Sequence, residues 1–137
     1  MSTNTYQAVA AIPDIATYCH LRQASGLSTK TAEAAARGLP ASLFAVQIVQ
    51  GETVVGMGRV VGDGGTSYHV VDIAVLPEHQ GKGLGKMIMR EITHYLQQNA
   101  PESAYVSLIA DGPAQDLYAQ FGFKHTAPAS VGMAYKI

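Results

Sequence analysis

Few folds accommodate a strand that runs straight into a glycine-rich turn and then, without a linker, into an amphipathic helix. This chain contains such a unit at Val75-Leu76-Pro77-Glu78-His79-Gln80-Gly81-Lys82-Gly83-Leu84-Gly85-Lys86. Glycines let a backbone approach a ligand closely and adopt positive φ. The first N–H groups of the following helix have no intrahelical partner, and the helix dipole favours negative charge beside them. Lys82 and Lys86 add positive charge. The segment therefore predicts an anion site over residues 80–86. Nucleotide hydrolysis at a P-loop is disfavoured, because Gln80 replaces its first glycine and Met87 replaces the Ser/Thr that would hold magnesium. The dinucleotide fingerprint also fails, since Lys86 stands at its third glycine.

The surrounding pattern is mixed. Tyr6 to Ala10 is a weak strand, and Pro13 opens a helix to about Ala24, which Gly26 breaks. Ser28 is the expected cap of a second helix, Thr29 to Arg37, stopped by Gly38 and Pro40. Ser42 to Gln50, Thr53 to Val61 and Thr66 to Val75 read as a three-stranded antiparallel meander. Leu84, Ile88, Ile92, Tyr95 and Leu96 recur at helical spacing up to Pro101. Ala104 to Ala110 is a strand, and Pro113 opens a short helix that Gly122 ends. The tail, at Phe123 to Thr126 and Met133 to Ile137, supplies two further expected strands. This order makes the chain α/β, in one domain over residues 1–137.

Composition narrows the function. Apolar residues form 47% of the chain, enough for a core, and charged residues only 14%. Nine Lys+Arg against ten Asp+Glu leave a net charge of −1, which argues against nucleic acid or an anionic membrane as partner. No apolar run approaches the roughly 18 residues of a membrane span. One cysteine, Cys19, permits no internal disulfide, and the histidines show no metal-ligand spacing, so no metal is expected. With a start, Met1 to Tyr6, that lacks leader features, the expected location is cytoplasmic.

Gln80-Gly81-Lys82-Gly83-Leu84-Gly85 resembles the pyrophosphate loop of the GNAT superfamily of acyl-CoA-dependent N-acyltransferases, whose pattern is Arg/Gln-x-x-Gly-x-Gly/Ala. The likeness extends back through Asp72 to Pro77. It returns about 35 residues later, where Asp116-Leu117-Tyr118-Ala119-Gln120-Phe121-Gly122-Phe123 is similar to the family's Leu/Phe-Tyr-x-x-x-Gly-Phe signature. Two signatures in the right order, with a strand between them, are far more specific than one glycine loop. The element order fits the whole GNAT fold. That fold implies a mixed, mostly antiparallel sheet of about six to seven strands, with helices on both faces and a splayed parallel pair at the cofactor site.

The resemblance implies acetyl-CoA as co-substrate. Backbone N–H groups from Gln80, Gly81, Lys82, Gly83, Leu84, Gly85 and Lys86 would hold its pyrophosphate. Ile73 and Val75 would pair with the pantetheine arm like an added strand, and an N–H near Ile73 or Ala74 would stabilise the thioester oxygen. Tyr118 would protonate the leaving thiolate. A phenol near pKa 10 and a thiol near 8.5 are close enough for transfer in a tuned site, and a core tyrosine packed beside Phe121 is the plainer role. Asp111 is either a cofactor contact or a cap for the helix at Pro113.

An amine near pKa 10.4 is only about 0.1% neutral at physiological pH, so its proton must be removed. His69, six positions before Val75, matches the family's strand base, with a water chain or a bystander histidine as the alternatives. Strand alternation would put His69, Val71 and Ile73 on one face and Asp72, a structural acid, on the other. Tyr18, Arg22, Leu27, Leu39, Phe44 and Tyr68 are expected to line the substrate pocket. With only Asp14, Glu33, Glu52 and Asp63 as acids in the first half, a polyamine pocket is not obvious. An apolar or aromatic amine fits better, or an amine with its own negative group near Arg22.

The implied function is direct transfer of acetyl to a primary amine of a small molecule. Alternatives are a protein N-terminal or lysine acetyltransferase and a non-catalytic acyl-CoA sensor. Many family members dimerise through terminal strands, an option open to this chain as a homodimer.

Overall fold

The computed structural model describes residues 5–137, so the first four residues of the Met1–Tyr6 leader reading lie outside the described part. Five strands form one sheet in chain order: β1 (Tyr6–Val9), β2 (Phe44–Gln50), β3 (Thr53–Gly62), β4 (Ser67–Val75) and β5 (Tyr105–Ser107). The first four are antiparallel neighbours, as short turns require, and β4–β5 is the single parallel pair in this sheet. Four α-helices complete the described fold: α1 (Ile15–Ala24), α2 (Ala32–Gly38), α3 (Leu84–Asn99) and α4 (Ala114–Ala119).

Local chemistry accounts for the helix starts. Asp14 caps α1 by accepting from the Thr17 N–H at 2.7 Å. The cap of α2 is Thr31, not the expected Ser28, and α2 begins at Ala32. The reason is that Ser28 is engaged elsewhere: its carbonyl and hydroxyl both accept from the Arg22 guanidinium.

Helix α3 lays Ile88, Met89 and Ile92, all fully buried, against β2, β3 and β4. Gly58 on β3 makes this contact close, because a Cβ there would stand 2.6 Å from Ile88 and 2.8 Å from Ile73. The neighbouring Arg59 points the other way and meets α1 residues, so α1 and α3 cover opposite faces of the sheet.

Two expectations fail here. The sheet has five strands rather than about six to seven, since residues 123–137 form no strand. Val131, Met133, Tyr135 and Ile137 alternate as a strand would, yet all are exposed, and alternation alone supplies no neighbouring edge to pair with. The face assignment on β4 also fails. Met57 pairs with Ala74 but Arg59 with Val71, so β4 carries one extra residue, and Asp72 adopts φ +59°. This bulge sends the Ile73 side chain to the α3 face and turns Asp72 toward α1.

Candidate active site

The parallel pairing of β4 with β5 lasts three residues, Ser67–His69 against Tyr105–Ser107. Beyond that point the strands part. A cleft of about 700 Å³ opens there, walled by β4, by Leu108 and Ile109 after β5, by α1 and its following turn, and by α4. It brings together seven residues singled out from the sequence: His69, Ile73, Asp111, Tyr118, Tyr18, Arg22 and Leu27.

On the β4 wall His69 is half-buried, and its Nδ1 lies 3.0 Å from Ser107 Oγ. That contact fixes the ring through one nitrogen and leaves the other for a second partner. On the opposite wall Tyr118 is buried at 9% exposure. Burial, and then the charge of Asp111, hold its phenol above the usual range, so it carries its proton throughout the physiological range. Its ring meets Phe123 edge-on at 6.5 Å rather than the expected Phe121. Asp111 does not cap α4 with its side chain: the cap is Pro113, and only the Asp111 carbonyl bonds the helix, to the Ala114 N–H.

The floor at the α1 end is an ionic group. Asp72 Oδ2 accepts from Arg59 Nε at 2.8 Å and from the Tyr18 hydroxyl at 3.0 Å, and Oδ1 accepts from Arg22. Burial, then the Asp72 carboxylate, push the Tyr18 phenol up. Arg59 was missed in the sequence, although a charged residue inside the apolar run of β3 is a signal, because arginine is seldom buried unpaired. Ser107 and Lys30 were missed as well; both are ordinary in sequence, and only the strand pairing and the α1–α2 turn give them a place.

Three expected pocket residues lie elsewhere. Phe44 stacks on Tyr95 of α3 at 4.7 Å, Tyr68 is buried beside the same Tyr95, and Leu39 belongs to the core. Phe44 and Tyr68 therefore belong to the α3 face. For Tyr68 the parity rule itself places it opposite its neighbour His69.

Residues 80–86 lie outside the cleft, at the entrance of α3. Gly81 and Gly83 have φ of +77° and +82°, and a Cβ on either would meet no heavy atom within 4 Å. Gly83 is the N-cap of α3 and no side chain caps the helix, so its first N–H groups have no side-chain partner, the condition under which a helix entrance can receive an anion. Gly85 serves a different end: a Cβ there would stand 2.9 Å from Leu117 of α4. That close approach ties the loop to the helix that carries Tyr118. The Gln80 side chain donates to the Val75 carbonyl at 3.0 Å and so braces the loop against the end of β4.

The sheet parts between β4 and β5, and the glycine-bounded entrance of α3 lies between them in the chain, the arrangement that the GNAT resemblance implies. Residues 40–125 match the model of the Acetyltransferase (GNAT) domain, and the chain belongs to that family. It is similar to a crystal structure of a probable acetyltransferase of unknown function from meticillin-resistant Staphylococcus aureus, at 48% identity and TM-score 0.93, over 97% of this chain and all of that one. It is also similar to a GNAT-family acetyltransferase from Streptococcus pneumoniae, at 28% identity and TM-score 0.79, over 97% and 98% of the two chains. Among curated relatives, GCN5-related N-acetyltransferase 2, chloroplastic, from Arabidopsis thaliana is 32% identical over 84 residues, which are 61% of this chain and 32% of that protein. The chain thus spans about a third of that relative's length. Among the described residues no helix is long and apolar enough to cross a membrane.

Proposed function

We propose that the protein transfers the acetyl group of acetyl-CoA to a primary amine of a small molecule, by direct attack within a ternary complex. One observation carries this reading: His69 and Tyr118, a base-type and an acid-type residue, face one cleft that begins where β4 and β5 part. Acetyl-CoA, when bound, supplies the activated acyl group.

The chain's own residues divide the work. Backbone N–H groups between Gly81 and Lys86 receive the pyrophosphate, with Lys82 and Lys86 adding charge. Beyond His69 the β5-facing edge of β4 has no strand partner among the described residues; there Ile73 and Val75 offer backbone groups to the pantetheine arm, and an N–H at Ile73 or Ala74 meets the thioester oxygen. His69 accepts the ammonium proton of the acceptor, directly or through water. The Tyr118 hydroxyl donates its proton to the departing sulfur. Cys19 does not line the cleft, which speaks against a covalent acyl-enzyme. Side chains of α1 and its following turn, Tyr18, Arg22 and Leu27, line one end of the cleft and would contact the acceptor.

The test is a CoA-release assay with acetyl-CoA across aromatic amines, polyamines, aminosugars, amino acids and peptides, run beside calorimetric CoA binding. Turnover of a small amine is expected. Tight CoA binding with no turnover on any acceptor would replace this reading with that of an acyl-CoA sensor.

A further inference from the structure

The ionic group on the cleft floor is unbalanced. Arg22 and Arg59 share the single carboxylate of Asp72, and all three side chains are at most 10% exposed. Their other protein partners are neutral: the Ser28 carbonyl and hydroxyl for Arg22, and the Ser42 hydroxyl for Arg59. The Tyr18 hydroxyl is a third donor to Asp72. Its ring lies 6.0 Å from the Arg22 guanidinium and 5.5 Å from that of Arg59, which eases the charge but does not cancel it. Two cations and one anion leave one positive charge in a nine-tenths buried place, and buried charge is costly unless paired.

The surplus also has a direction. An arginine has five N–H donors. Arg59 uses Nε on Asp72 and Nη1 on Ser42, and Nη2 has no partner among the described residues. Every fully buried side-chain nitrogen or oxygen among those residues does have a partner, so Nη2 is a part of Arg59 that meets solvent. Arg59 lines the cleft, as do Arg22 and, at the exposed turn after α1, Lys30. The other carboxylate of the cleft, Asp111, lies beside Tyr118 and pairs with neither arginine: their partners are Asp72, Ser28 and Ser42.

We infer that the acceptor is a primary amine that itself carries an anionic group, a carboxylate or a phosphate, and that Arg59, backed by Arg22 and Lys30, binds that group. This deepens the acetyltransferase reading and rests on it. The guanidinium fork suits the planar or tetrahedral oxygens of such a group, bonding it with charge on both sides. Asp72 has a positioning role: with both oxygens occupied, it holds the two guanidiniums in place. Acetyl-CoA does not need this site, since its own phosphates belong at the glycine loop.

Matched pairs of acceptors test the inference: an amino acid against its amide, and phosphoethanolamine against ethanolamine, each by CoA release. The anionic member of at least one pair is expected to show kcat/KM at least tenfold higher in the native enzyme. Arg59→Lys, which keeps charge but loses the fork, should shrink that ratio severalfold. Lys30→Gln, at an exposed position, should shrink it less. Equal kcat/KM within both pairs, or preference for the neutral members, overturns the inference while leaving the acetyltransferase reading intact. If no acceptor is turned over, that reading fails separately, and calorimetry with the same pairs decides the anion site. Binding of an anionic member that weakens in Arg59→Lys supports the site, and absence of such binding overturns it.

Discussion

His69 Nδ1 lies 3.0 Å from Ser107 Oγ, across the last rung at which β4 and β5 still run side by side. The strand pair thus ends by orienting an imidazole at the mouth of the gap it opens. If His69 takes the acceptor's proton, replacing it by glutamine should lower kcat/KM by roughly a hundredfold, a usual span for a general base. Ser107→Ala should act more mildly, with kcat down severalfold and the KM of acetyl-CoA unchanged, because it loosens the ring without touching the loop. Steady-state kinetics of the two variants across pH checks this. A pH–rate profile and kcat/KM left unchanged in His69→Gln would remove the histidine from the role.

Tyr118→Phe keeps the ring and its edge contact with Phe123 but removes the proton. Turnover should fall at least tenfold while CoA binding by calorimetry survives. Burial and Asp111 raise the folded-state pKa of this phenol, and the protonated form is the one the chemistry needs. Activity that depends on it should therefore persist up to and beyond pH 10 before declining. Stability follows the same sign: Tyr18 and Tyr118 contribute fully below the unfolded phenol pKa of about 10, and the contribution is lost as pH rises through their higher folded values. Urea unfolding in alkaline buffers should show this loss, and Tyr118→Phe should reduce it.

What sequence can and cannot reveal divides along sequence separation. The glycine loop, the buried stripe of α3 and the β2–β3–β4 meander are local patterns, and each forms where the periodicity places it. The group formed by Arg22, Arg59 and Asp72 is not local. It depends on a bulge that inverts the face of Asp72, and no alternation rule anticipates one extra residue in a strand. The expected place of Phe44 is the pocket, and only the stacked Tyr95, more than a third of the chain away, places it on the α3 face. The tail carries a clear period-two pattern at Val131, Met133, Tyr135 and Ile137, but a pattern names a face and not a partner strand.

Gly83→Ala separates binding from folding. The glycine has φ +82°, where an alanine is strained by about 1 kcal/mol, yet its Cβ would enter open space. The variant should fold, with its unfolding midpoint only slightly lowered. The backbone entrance of α3 would become stiffer and bulkier, so the KM for acetyl-CoA should rise at least fivefold with little change in kcat. An unaltered KM in the folded variant would move the pyrophosphate away from this loop.

Gly62→Ala should do the reverse and damage the fold itself. At φ +152°, a Cβ on Gly62 would stand 2.1 Å from the Ser67 carbonyl oxygen, a backbone atom that can retreat only by breaking the end of the β3–β4 hairpin. A loss of roughly 3 kcal/mol or more is expected, against the 0.5–3 kcal/mol of an ordinary substitution. The same turn is fastened by Asp63, whose side chain accepts from the backbone N–H groups of Gly65, Thr66 and Ser67 and from the Thr66 hydroxyl. Those bonds lower its pKa to about 2, the Thr66 hydroxyl contributing most. Their contribution is present above the unfolded value of 3.8 and disappears as pH falls through about 2. Acid unfolding followed by circular dichroism should therefore show a shallower pH dependence below 4 in Asp63→Ala than in the native chain. Gly62→Ala should instead lower stability by a similar amount at every pH above 4, where Asp63 stays ionised in the folded and unfolded chain alike and the cause is steric.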